Sequence, residues 1–189
     1  MARVGKSQIT LDSIFFSTPE QKLMKLLLSE PSVQFTPRVI CSKLKGVRGL
    51  GGAEGVLKIL QDFQKLGLVD FVSNHRAVRI QEDNATVQTL KVFASICSFE
   101  SLKEVLQPIS SRGVLYGSRG GNGVFEGDSH LFIVSDIPDE VKKTAGRHPM
   151  GRSVELVVLS PENYGEIQQH DPGLFQKVSS GIVLWGATW

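Results

Sequence analysis

The chain has 189 residues, enough for one medium domain or two small ones, and its 41% hydrophobic and 21% charged content is ordinary globular composition. No apolar run approaches the ~18–20 residues of a membrane helix, and MARVGKSQIT lacks the apolar stretch of a signal peptide, so a cytoplasmic chain with no membrane partner is expected. The net charge of +2 hides an asymmetry: residues 1–90 carry 12 Lys and Arg against 8 Asp and Glu, whereas residues 91–189 carry 9 against 11. The first half therefore suits a polyanionic partner, although a surplus this small is also what a solvated face carries. Cys41 and Cys97 stand apart, with no CxxC pair and no clustered His, which argues against a zinc site or a disulfide framework.

In chain order, Thr18-Pro19 opens the first predicted helix with a side-chain cap and proline at the first helical position, and Gln21 completes a capping box. Leu23, Leu26 and Leu27 follow at helical spacing up to Ser29. Thr36-Pro37 repeats the signal for a short helix Pro37–Leu44. After the glycine-rich GVRGLGG comes a third helix, Ala53–Leu66, with Val56, Ile59, Leu60, Phe63 and Leu66 on one stripe and Gly67 as its stop. LVDFVS and AVRIQ then flank Asn74-His75-Arg76 as a hairpin with a polar tip. Three helices and a hairpin is the order of a winged helix-turn-helix. In that geometry the third helix enters the major groove and the wing touches the DNA backbone. Arg48, Lys58, Lys65, His75, Arg76 and Arg79 are then the candidate phosphate contacts, and Gln61 and Gln64 the candidate base readers. The tip residues His75 and Arg76 are also what any exposed hairpin end would carry.

Asp83–Thr86 reads as a linker, and Val87 to Leu106 as one or two amphipathic helices ending at Pro108. From Arg112 the texture changes to short apolar runs, GVLYG, HLFIV, VELVVL and GIVLW, with helical stretches near Pro138–Ala145, Pro161–Gln169 and Pro172–Ser179. Strands alternating with helices predict a mixed sheet. Within LYGSRGGNGVFEGDSHLFIVSD, a strand is expected to end in Gly117-Ser118, a glycine-rich loop to follow, and Asp128-x-His130 to open the next strand with both side chains on one face. Glu155 lies in a later strand.

This arrangement resembles the minimal nucleotidyltransferases of the DNA polymerase β superfamily, in which a Gly-Ser turn precedes Asp-x-Asp and a later strand supplies a third carboxylate. The resemblance covers nearly the whole chain, since two-domain members place a helix-turn-helix before the transferase fold. It implies nucleotide binding by Gly117, Ser118 and Arg119, where glycine lets backbone amides approach phosphate and serine adds a donor. It implies catalytic and metal-binding roles for Asp128 and Glu155, holding Mg²⁺ or Mn²⁺. The second carboxylate position holds His130, a poor ligand for Mg²⁺; a softer ion could use Asp128, His130 and Glu155 together.

The expected fold class is thus α/β (α+β): a winged helix over residues 1–84, a helical connector over 85–110, and a nucleotidyltransferase-like mixed sheet flanked by helices over 111–189. Two functions stand open. One is a dimeric regulator of double-stranded DNA whose degenerate transferase-like half binds nucleotide. The other is an active metal-dependent nucleotidyltransferase, moving a nucleoside monophosphate from an NTP to a small molecule, protein or RNA.

Overall fold

The computed structural model describes residues 9–74, 76–119 and 125–187, with the backbone alone for residues 118, 119 and 125–129. It is a mixed helix-and-sheet protein, as expected. The chain divides after Cys97 into two compact units. Among the described residues no helix is long and apolar enough to cross a membrane.

In the first unit, side-chain caps set the starts of the first three helices. Thr10 caps α1 (Leu11–Phe15) reciprocally with Ser13, and Thr18 caps α2 (Pro19–Ser29) reciprocally with Gln21. Thr36 Oγ1 accepts from the Val39 amide at the start of α3 (Pro37–Lys43). Each such cap is worth about 1 kcal/mol. The helix α4 (Gly52–Lys65) ends in paired Schellman bonds: the Gly67 amide donates to the Gln64 carbonyl and the Leu68 amide to the Phe63 carbonyl, both at 2.9 Å. The left-handed φ of +69° at Gly67 makes that ending possible. The hairpin β1 (Val69–Val72) and β2 (Ala77–Ile80) follows, paired antiparallel. A third segment joins it. The Phe35 and Val78 backbones exchange hydrogen bonds of 2.9 and 2.8 Å, so the residue just before α3 is tied to the hairpin. Leu23, Leu27, Phe35, Ile40, Val56, Leu60, Val69 and Val78 fill the core between these elements.

The linker expected at Asp83–Thr86 is instead a helix start. The Asn84 side chain accepts from the Thr86 and Val87 amides and opens α5 (Ala85–Leu106), a single helix of 22 residues. Its first half places Val87, Leu90 and Ala94 in the first core, and its second half places Phe99, Leu102 and Leu106 in another. The expected boundary at residue 84 therefore moves to Cys97, because burial of Val87, Leu90 and Ala94 binds the front of α5 to the first unit.

The second unit is a four-stranded sheet in the order β5-β4-β3-β6, built from β3 (Arg112–Arg119), β4 (Phe125–Val134), β5 (Glu155–Leu159) and β6 (Ile182–Trp185). β3 pairs antiparallel with both β4 and β6, while β4 and β5 are parallel. The parallel pair needs a crossover, and α6 (Pro138–Arg147) with α7 (Pro149–Arg152) provides it. Leu115, Leu131 and Ile133 face Val141 and Ala145 of α6 and the end of α5. Val114, Tyr116, Phe132 and Val134 face α8 (Pro161–His170) and α9 (Pro172–Ser179) through Ile167 and Val178. With helices over both faces, the strands need apolar residues at every position, which explains the unbroken runs LFIV and LVVL.

The entry to α4 depends on one missing side chain: a Cβ on Gly55 would fall 2.0 Å from the Leu50 carbonyl oxygen. Gly55→Ala should therefore cost about 1–3 kcal/mol, read by calorimetry as a lower melting temperature of the first unit. Gly146→Ala, where a Cβ meets nothing within 4 Å, should leave melting unchanged or raise it slightly.

Candidate functional site

Three chemically active side chains form a row across the second sheet. Antiparallel pairing sets Tyr116 opposite His130, and parallel pairing sets Glu155 opposite His130 on its other flank. All three share the face of Phe132 and Val134 by strand alternation. The row grades from core to solvent: Tyr116 is 5% exposed, while the side chains of His130 and Glu155 are 25% and 69% exposed. The Tyr116 and His130 rings lie with centroids 5.3 Å apart and planes tilted by 30°. A Glu155 carboxylate oxygen sits 2.9 Å from His130 Nδ1. It makes no directed hydrogen bond, so the contact is one of proximity. Burial pushes the Tyr116 phenol above its ordinary pKa, and the negative charges of Glu155 and Asp171 push the same way. Tyr116 thus stays a neutral donor and acceptor beside an imidazole–carboxylate pair.

Of the expected site residues, His130 and Glu155 are brought together. The Gly-Ser turn needs correction. Strand pairing continues past it, with Gly117 opposite Ser129 and Arg119 opposite Phe125. Gly117 therefore belongs to a ladder rather than to an open phosphate-cradling turn. Pairing on both sides of Ser118 outweighs the turn preference of the glycine, a case of tertiary context overriding local propensity. The register shifts between Gly117 and Arg119, the kind of irregularity that clusters next to functional positions. The side chains of Ser118, Arg119 and Asp128 lie outside the described residues. Sequence spacing missed Tyr116, because its place beside His130 comes from cross-strand register and no local motif announces it.

Among the described residues no three His, Cys, Asp or Glu side chains converge as metal ligands. The pair at hand is one carboxylate set against one imidazole. Mg²⁺ takes oxygen ligands in near-octahedral geometry; of the three expected ligands the described pair supplies one carboxylate and one imidazole, and the Asp128 side chain lies outside the described residues.

In the first unit the outer face of α4 runs opposite to its buried residues Val56 and Leu60, and Lys58, Gln61 and Lys65 are exposed along it. Arg48, before α4, and Arg76 and Arg79 of the hairpin are exposed as well. His75 lies outside the described residues. Lys65 pairs with Asp62 at 2.8 Å. Its hydrogen bond and charge hold the Asp62 carboxyl below the usual range, with a smaller opposing effect of burial and a further lowering from Lys58. Lys65 is thus partly neutralised, whereas Arg48, Lys58, Arg76 and Arg79 make no ion pair with the described residues.

Comparison with known proteins finds no family model, no curated protein and no solved structure that matches this chain.

The chain has two tyrosines, both with raised phenol pKa. For Tyr164 burial dominates and the Arg112 guanidinium opposes it. Alkaline titration by phenolate absorbance should show both ionising above the ordinary value of 10.0. Glu155→Gln should move one of the two back toward it. The folded chain keeps phenol protons that the unfolded chain has lost, so stability should be intact below pH 10 and decline as pH rises above it.

Proposed function

We propose that this protein is a cytoplasmic DNA-binding transcriptional regulator. In this reading the first unit is a winged helix-turn-helix, with α3 and α4 as its helix pair, α4 as the groove-reading helix and β1–β2 as the wing. The observation that carries it is the division of α4 into two faces: Val56 and Leu60 lock one side into the core, while Lys58, Gln61 and Lys65 line the other in solvent. The Phe35–Val78 bridge supports it further, because it joins a segment ahead of α3 to the hairpin within the helix, bridge, helix, helix, hairpin order of that fold. Arg48, Lys58, Arg76 and Arg79 then contact phosphates, which supply affinity without sequence choice, and Gln61 reads a base edge. A homodimer on paired half-sites is the assembly this geometry serves.

The second unit, in the same reading, is a nucleotidyltransferase-like domain that has lost turnover and retained nucleotide as a ligand. Support comes from the position of a second carboxylate, which holds His130, with the Glu155 carboxylate set against it. An imidazole brings no negative charge with which to gather divalent cations. That favours a binding role over catalysis.

Fluorescence anisotropy with duplex DNA across a salt series tests the proposal. Log affinity should fall linearly with log salt, by about 0.9 per phosphate contacted. Neutralising Lys58 and Arg79 should each flatten that slope by about 1 and weaken binding to every sequence alike. Gln61→Ala should leave the slope and reduce discrimination against random duplex by about 1–3 kcal/mol. Absence of binding, or a slope indifferent to Lys58 and Arg79, would rule the assignment out.

A further inference from the structure

The second unit is acidic, with eight Lys and Arg against eleven Asp and Glu over residues 98–189. Yet four of those eight cations, Lys142, Lys143, Arg147 and Arg152, fall within residues 142–154, which contain no carboxylate. All four are exposed, and none makes an ion pair with the described residues.

The fold gathers them. Val141 and Ala145 are buried and anchor the inner side of α6 to the sheet, which turns Lys142, Lys143 and Arg147 outward. Lys143 and Arg147 are four apart, so their Cβ atoms lie about 5–6 Å from one another on one helix face. Lys142 is followed four residues later by Gly146, at which a Cβ would meet nothing within 4 Å, so no side chain stands over that row. Gly151 lets α7 close against the end of α6, since a Cβ there would lie 2.2 Å from the Ala145 carbonyl oxygen. That packing holds Arg152 beside α6.

Helix dipoles favour Arg147 and Arg152 in the last turns of α6 and α7. They do not account for Lys142 and Lys143; Asp139 and Glu140 in the first turn of α6 stand one turn from Lys143, and no carboxylate follows between residues 142 and 154. Like charges at this spacing repel, and an anion laid across them removes the repulsion. The shape selects the anion. The cations spread over about 7–8 Å of helix axis from Lys142 to Arg147, at 1.5 Å per residue, and continue to Arg152 at the end of α7. A duplex offers a phosphate about every 3.4 Å along each strand, whereas a single triphosphate is better held by a concave loop. Residues 142–154 contain no Phe, Tyr or Trp to stack a base, and His148 is occupied, its Nδ1 accepting from the Met150 amide at 3.2 Å.

We propose that the α6–α7 surface is a second nucleic-acid contact that binds backbone phosphates without reading sequence. It uses other residues, in the other unit, than the DNA contact proposed for α4 and the hairpin, and it does not rest on that assignment.

The test is anisotropy of the full chain on a short random-sequence duplex across a salt series. Substitution of Lys142, Lys143, Arg147 and Arg152 by Gln should flatten the salt slope by about 0.9 for each phosphate no longer neutralised, with the melting temperature unchanged. Gly146→Glu, a carboxylate placed in open space between the cations, should also weaken binding. An unmoved slope and affinity in both variants would overturn the proposal. Calorimetric titration with ATP separates nucleic acid from free nucleotide as the source of phosphate. ATP binding abolished by the four substitutions, with duplex affinity intact, would overturn it equally. Parallel measurement of the Lys58 and Arg79 variants shows which assignment fails, since each set of substitutions lies in its own unit.

Discussion

The exchange of backbone hydrogen bonds between Phe35 and Val78 is a short contact with wide consequences in the first unit. It fixes the approach of the chain to α3 against the hairpin that follows α4, so the two helices and the hairpin share one frame. Phe35, 1% exposed, drives the contact from beneath; burying a side chain of that size stabilises by about 1.5–3 kcal/mol. With Leu23, Leu27, Ile40, Val56 and Leu60 packed around it, α4 has a single face left for solvent. The polar stripe on that face, and the cations of the hairpin, are therefore presented on a rigid base. Under the proposed reading, that rigidity orients α4 in a groove before any base is touched.

A different constraint shapes the second unit. Its sheet is covered on both faces, so polar groups are confined to strand ends and to positions where a helix leaves a gap. Tyr116, His130 and Glu155 occupy such a row, the first buried and the last in water. Among the described residues the arrangement joins a neutral phenol, an imidazole and a carboxylate. Four of the unit's eight cations, meanwhile, lie on α6 and α7.

Much of the first unit was legible because its signals are local. Thr18-Pro19 and Thr36-Pro37 announce helix starts through side-chain caps, and Gly67 announces a stop through its left-handed backbone. The strands of the second unit were legible as apolar runs. Part of what escaped depends on partners distant in sequence, and part on local features without an apolar pattern. An isolated pair such as Phe35 and Val78 has no periodicity. The five-residue helix α1 buries no residue of its own, so it lacks an apolar stripe. The polar Asp83–Thr86 reads as a linker until Asn84 is seen capping α5. Gly117 reads as a turn until Ser129 is seen opposite it. Likewise, the proximity of His130 to Glu155 follows from alignment of β4 with β5, a register that only packing decides.

Under the proposed function the outer face of α4 and the hairpin receive duplex DNA. Backbone amide spectra of the labelled protein, recorded as duplex is added, test this residue by residue. Shifts should centre on Lys58, Gln61, Arg76 and Arg79, while the amides of core residues such as Leu60 and Val78 move little. Spectra in which those four amides stay in place at saturating duplex would contradict it.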